Sequence, residues 1–223
     1  MIKKVHMAGR ILIASFFITG TILAYADKIK SHIRQSFIDE ALSYSRAEII
    51  KGNQEITCSV PAASILSITG EDYVDDQTDY GSYGQAEAGL HLAAILDIPE
   101  IELEEPVWKE CDSVAMRYGV VLWKTSVNPG EAGNCIIIGH RNRHTSTCFY
   151  RLQELVAGEQ VVLMLKDGTE RIYEVYETVT CPPSHIPGYL EQGTGESLTL
   201  ITCATEYGKG WRFIAVCHPI SDD

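Results

Sequence analysis

Apolar residues recur along this chain with two periods, and the change from one to the other divides it. From Asp27 to about Lys51, Ile29, Ile33, Phe37, Ala41, Tyr44 and Ala47 return every third or fourth residue, with charged residues between them. That spacing predicts an amphipathic helix, ended by Gly52 and Asn53. Its apolar stripe suits a stalk or a face that packs on a domain. From His91 the pattern shortens into strand-like runs rich in Val, Ile, Leu and Tyr: His91–Ile98, Ile101–Trp108, Val120–Lys124, Cys135–Gly139, Gln160–Leu165, Arg171–Thr180, Ser197–Thr202 and Trp211–Cys217. Turn residues such as Pro99, Asn128-Pro129-Gly130 and Asp167-Gly168 separate them. Two helical stretches interrupt the series, near Ser113–Tyr118 and Thr147–Leu155. Eight short strands at this spacing predict an all-β closed barrel or sandwich.

The chain opens with a third pattern. Lys3, Lys4 and Arg10 precede an apolar run from Ile11 to about Ala26. A basic flank before such a run places the N-terminus on the cytoplasmic side of a membrane and the remainder outside. The run is about 16 residues and reaches about 20 if extended through Met7, close to a full span. It reads as an uncleaved single-pass signal anchor or as a signal peptide cleaved after Ala24-Tyr25-Ala26. Either way the following domain is exported. The expected organisation is a membrane segment at 1–26, a helical stalk at 27–52, an acidic linker or surface loop at 53–89 and a barrel at 90–223. The loop mixes Glu71, Asp72, Asp75, Asp76 and Asp79 with several glycines, but without the ligand spacing of an EF-hand, so it reads as solvated rather than calcium-binding.

Composition narrows the function. The 223 residues carry a formal net charge of -12 and no basic stripe, which argues against nucleic acid as a partner. There are seven cysteines, so at least one stays unpaired within the chain. No CxxC pair occurs, and neither a metal nor a cofactor is implied. Cys135 and Cys217 lie within apolar runs, where cysteine acts as a small hydrophobe. A disulfide between Cys148 and Cys181 has no support in the sequence.

Three residues form a coherent chemical set. Cys203 ends the run Leu198-Thr199-Leu200-Ile201-Thr202, at a strand mouth where a thiol is accessible. His140 ends Ile136-Ile137-Ile138-Gly139, with Gly139 removing bulk beside the imidazole. Arg212 starts the last apolar run. A thiolate is the working nucleophile and a nearby imidazole or cation favours it. The imidazole can protonate a departing amine, and a guanidinium can stabilise an oxyanion. His144 and His185 are alternative bases in polar sequence, His144 facing solvent, while His91 and His218 read as structural.

The sequence around the trio resembles the sortase family. Ile136-Ile137-Ile138-Gly139-His140-Arg141 is similar to its histidine motif, Leu198–Cys203 to its TLxTC motif, and Arg212 stands where the family carries its arginine. LDIPEIELEEPVW and FYRLQELVAGEQVVL add local similarity, and the likeness runs from about Leu92 to the C-terminus. It implies an eight-stranded β-barrel anchored on a Gram-positive cell surface. It further implies a cysteine transpeptidase that cleaves an LPxTG-like sorting signal of a secreted protein. The acyl fragment would pass to an amine on a peptidoglycan precursor or a pilin lysine. By the same resemblance Thr202 positions substrate or oxyanion. The Asp-Pro-aromatic lid motif of pilin-assembling members is missing from the sequence. A cysteine peptidase acting on peptide or cell-wall bonds, or a non-catalytic surface-binding barrel, are the competing readings.

Overall fold

The computed structural model describes residues 28–29, 31–61, 87–142 and 147–220. The expected membrane segment, most of the acidic loop and His144 lie outside the described residues. Among the described residues no helix is long and apolar enough to cross a membrane.

Eight strands close into a barrel: β2 (Glu87–Ile98), β3 (Leu103–Trp108), β4 (Val120–Leu122), β5 (Gly133–Ile138), β8 (Gln160–Leu165), β9 (Glu170–Cys181), β10 (Glu196–Cys203) and β11 (Arg212–Pro219). Around the wall the order is β2-β3-β4-β5-β10-β11-β9-β8, and pairing of β8 back onto β2 closes it. These are the eight expected strands with shifted ends. Closure leaves no long edge open. The expected helical stretches are short 3-10 turns, at Ala115–Arg117 and Phe149–Glu154. A small hairpin, β6 (Arg141–Asn142) with β7 (Thr147–Cys148), follows β5.

Part of the expected loop at 53–89 is a strand. β1 (Thr57–Pro61) pairs antiparallel with the first residues of β2, Thr57 facing His91 and Pro61 facing Glu87. Cys58 and Val60 are buried while Ser59 is exposed, a period-2 pattern too short to stand out beside the acidic sequence that follows.

Alternation along the strands sorts side chains between the two faces of the wall. Leu96, Leu163, Leu198, Leu200, Phe213 and Ala215 fill one buried cluster inside the barrel. Ile136, Cys181, Ile201 and Ile214 form another on the outer face, packed against Ile186, Tyr189 and Leu190. Those residues come from α2 (Ile186–Tyr189) and its C-terminal neighbour.

The N-terminal helix, α1 (31–50), does not project as a stalk; it lies against the barrel. Ile38, Ala41, Leu42 and Ile49 pack on Ile95, Trp108 and Val121, because burying that stripe removes apolar area from water at about 25 cal/mol per Å². Gly52, at φ 77°, closes the helix end with its N–H on the Ile49 carbonyl. Arg34 is carried inward with the helix. It donates from Nε to the Arg117 carbonyl, and from Nη2 to Glu105 and to the Cys148 sulfur. A buried guanidinium needs such partners, since an uncompensated one is strongly destabilising.

Candidate active site

The register of three neighbouring strands assembles the site. β5 and β10 run parallel with Ile138 beside Ile201. Continuing that register brings His140 level with Cys203, on adjacent strands spaced about 4.8 Å apart. β10 and β11 are antiparallel with Cys203 directly opposite Arg212. On the far side of β11, Arg212 faces Cys181 of β9. His140, Cys203 and Arg212 thus form a row across the outer face at one end of the barrel, although 72 residues separate the first from the last.

The row borders a cavity of about 330 Å³. His140, Cys203 and Arg212 line it together, and its walls include Trp123, Ile138, Ile186 and Leu190. The turn before α2 supplies Pro183. All three members of the row are partly exposed, so a substrate can reach them. Its lining is mostly apolar with a few polar and charged groups, the arrangement common to binding pockets.

Arg212 donates from Nη1 to the Trp211 carbonyl, 3.1 Å away, which fixes the plane of the guanidinium. The backbone N–H of Ala204, directly after the nucleophile, is bonded to that same carbonyl at 2.9 Å. It is therefore spent, which leaves the Arg212 guanidinium as a charged donor at this end of the groove. Burial pushes the Cys181 thiol up, while the charge of Arg212 draws it the other way.

Two neighbours of the trio also make structural contacts. Thr202 is buried, and its hydroxyl donates to the Gly139 carbonyl at 2.9 Å. With side chains alternating, Thr202 points into the barrel while Cys203 points to the groove. Its hydroxyl ties the ends of β5 and β10 together, and the residue is also among those lining the groove. Gly139 is closely packed. A Cβ there would meet Phe149 and Val120 at 2.8 Å, so the glycine makes room for core side chains. Its N–H bonds the Ile201 carbonyl at 3.1 Å, and the Phe149 N–H bonds the His140 carbonyl at 3.0 Å. Gly139→Ala is expected to cost about 1–3 kcal/mol through overpacking and to slow acylation by moving His140. Thermal unfolding and acylation rates measured on one preparation check both effects.

His91, His185 and His218 are not among the residues lining the groove. His185 is exposed at the start of α2. His91 pairs with Glu110 at 2.5 Å, and His218 stacks on Tyr176 with centroids 4.8 Å apart. Cys148 and Cys181 are unjoined, as Cys148 contacts Arg34 and Cys181 faces Arg212. Among the described residues no group of three or more His, Cys, Asp or Glu is placed to hold a metal ion.

The sequence model of one family, the Sortase domain, matches residues 96–220. That stretch is more than half of the chain and contains the whole row. The chain belongs to the sortase family. Members of this family are cysteine transpeptidases. Sortase D of Bacillus subtilis (strain 168) is 34% identical over 111 residues, covering 50% of this chain and 54% of that one. Sortase SrtE1 of Streptomyces coelicolor is 26% identical over 164 residues, covering 65% and 44%. The chain thus spans about half the length of the curated relatives it matches. Sortase C1 of Streptococcus agalactiae shares the fold, with a TM-score of 0.53 at 21% identity over 58% of this chain and 68% of that one. The groove walls contributed by Trp123, Ile186 and Leu190 were not expected from sequence. The only signal for them was exposed-looking apolar residues in turns.

Proposed function

We propose that this sortase is an exported, membrane-anchored transpeptidase that cleaves an LPxTG-like sorting signal and transfers the acyl fragment to an amine. The observation that carries the reading is the row of His140, Cys203 and Arg212 lining a mostly apolar groove. In the first half-reaction the Cys203 thiolate attacks the Thr–Gly carbonyl carbon, and Arg212 binds the oxyanion. The C–N bond breaks, and the departing amine takes its proton from the His140 imidazolium, leaving a thioester. In the second half an acceptor amine attacks the thioester, gives a proton to the imidazole and releases the thiolate. A peptidoglycan precursor and a pilin lysine are the two acceptor chemistries. The Ile11–Ala26 run would hold the enzyme at the outer membrane surface, where both acceptors and secreted substrates are found.

The experiment uses the full chain. Cells expressing it are fractionated, and the membrane fraction is mixed with an LPxTG-type peptide, with and without an amine acceptor. The expected result is enzyme in the membrane fraction and an amine-dependent transfer product. Cleavage to the free acid that amine does not divert would make it a peptidase, and absence of any thioester would leave a binding barrel. Enzyme found in the cytosol would overturn export.

A further inference from the structure

We propose that Arg141 and Glu206 form a latch that positions His140 against Cys203 and neutralises the charge next to the imidazole. The proposal rests on the catalytic reading above and adds two positioning residues to it. Arg141 directly follows His140 and begins β6, and Glu206 lies in the 3-10 turn Thr205–Tyr207, which leaves Cys203. The pair therefore bridges the two chain segments that emerge from the site.

The geometry is close. Arg141 Nη1 lies between the two carboxylate oxygens of Glu206, 2.6 and 2.5 Å away. The Arg141 side chain is 12% exposed and that of Glu206 28%, so water screens this pair less than an open surface pair. The guanidinium also lies over the Tyr150 ring, 6.0 Å from its centroid. Burial opposes the Glu206 carboxylate, but hydrogen bonds from Arg141, from its own backbone and from Gln153 outweigh it and hold its carboxyl below the ordinary value.

A tie is needed at this point in the chain. The Gly139 N–H on the Ile201 carbonyl and the Thr202 hydroxyl on the Gly139 carbonyl stop one residue short of the reacting side chains. Beyond them one segment turns into the β6–β7 hairpin and the other into the 3-10 turn. The Arg141–Glu206 pair is a further connection between the two, and it sits beside the atoms whose alignment sets the rate. Electrostatics give a second reason. Among the described residues, the charged and titratable groups near His140 include Arg141 on β6, Cys148 on β7, Cys203 on β10, Glu206 in the turn after it and Arg212 on β11. With Glu206 neutral, Arg141 would be an uncompensated cation one residue from the imidazole, adding to Arg212. A like charge at that distance disfavours the protonated ring, which must deliver a proton to the leaving amine.

The test compares the wild-type full chain with Arg141→Ala, Glu206→Gln and the exchanged pair Arg141→Glu/Glu206→Arg. Acylation by an LPxTG-type peptide gives kcat and KM. Alkylation of Cys203 by iodoacetamide across pH reads the site without any peptide. Glu206→Gln is expected to lower kcat about tenfold with KM within about twofold, and to move the acylation and alkylation pH profiles to lower pH. The exchange is expected to recover at least about a third of the lost rate. Glu206→Gln is near-isosteric, so it carries the test if Arg141→Ala unfolds. A loss confined to KM, or pH profiles that do not move in Glu206→Gln, would overturn the latch. If the wild type ignores the peptide while the alkylation profile still shifts in Glu206→Gln, the substrate reading fails and the latch stands.

Discussion

Cys203→Ala is expected to abolish acyl-enzyme formation and transfer while leaving the fold intact. In the proposed reaction the thiol supplies the bond that becomes the thioester, and among the described residues no other cysteine lines the groove. The substitution removes one sulfur from the rim of a cavity at the end of β10, where the side chain is partly exposed. Backbone pairing with Arg212 is untouched, so the stability change should stay within about 1 kcal/mol. The six remaining cysteines are poor substitutes. Cys58, Cys135, Cys148, Cys181 and Cys217 are buried. Burial also pushes the Cys135 and Cys217 thiols up to about 12 and raises that of Cys111, so few thiolates are present among them at neutral pH. Intact-mass measurement after incubation with substrate peptide distinguishes the outcomes. A covalent adduct on the Cys203→Ala protein would move the nucleophile elsewhere.

Arg212→Lys should be almost as damaging, despite keeping the charge. The arginine starts β11 opposite Cys203, and its Nη1 bond to the Trp211 carbonyl orients the remaining donors toward the groove. The usual backbone alternative is closed, because the Ala204 N–H is bonded to Trp211. Lysine presents a point charge on a flexible stem and cannot reproduce a planar fork held from behind. Losing one oxyanion donor costs about 10²–10³ in rate, and an acylation rate lower by that factor with unchanged peptide binding is the expected measurement. Near-normal acylation would make Arg212 a structural partner of β11 rather than an oxyanion donor.

Much of this architecture was legible in the residues alone. Each barrel strand is a short apolar run bounded by turn residues, and a strand buried on one or both faces must show such a run. The family was legible because Cys203, His140 and Arg212 each sit at the end of a run, inside motifs that resemble it. Neighbouring residues on a strand face opposite sides, and the buried bond of the Thr202 hydroxyl to Gly139 follows from that parity.

Other features had no local signature. β1 is brief and borders acidic sequence. α2 has only four residues, too few for a helical period. An amphipathic stripe reports that a helix buries one face without saying against what, so the docking of α1 and the inward turn of Arg34 toward Glu105 and Cys148 could not be read from it. Glu206 stands 65 positions from Arg141; nothing in either segment names the other. The sequence by itself determined the eight barrel strands and supplied the candidate residues of the site, because hydrophobic period and residue type are local properties. Only the tertiary structure decided that a parallel register brings His140 beside Cys203, that the site opens on the outer wall under α2, and that an ion pair joins its two exits. Those depend on strand order and closure, and contacts between distant segments exist only once the chain has folded.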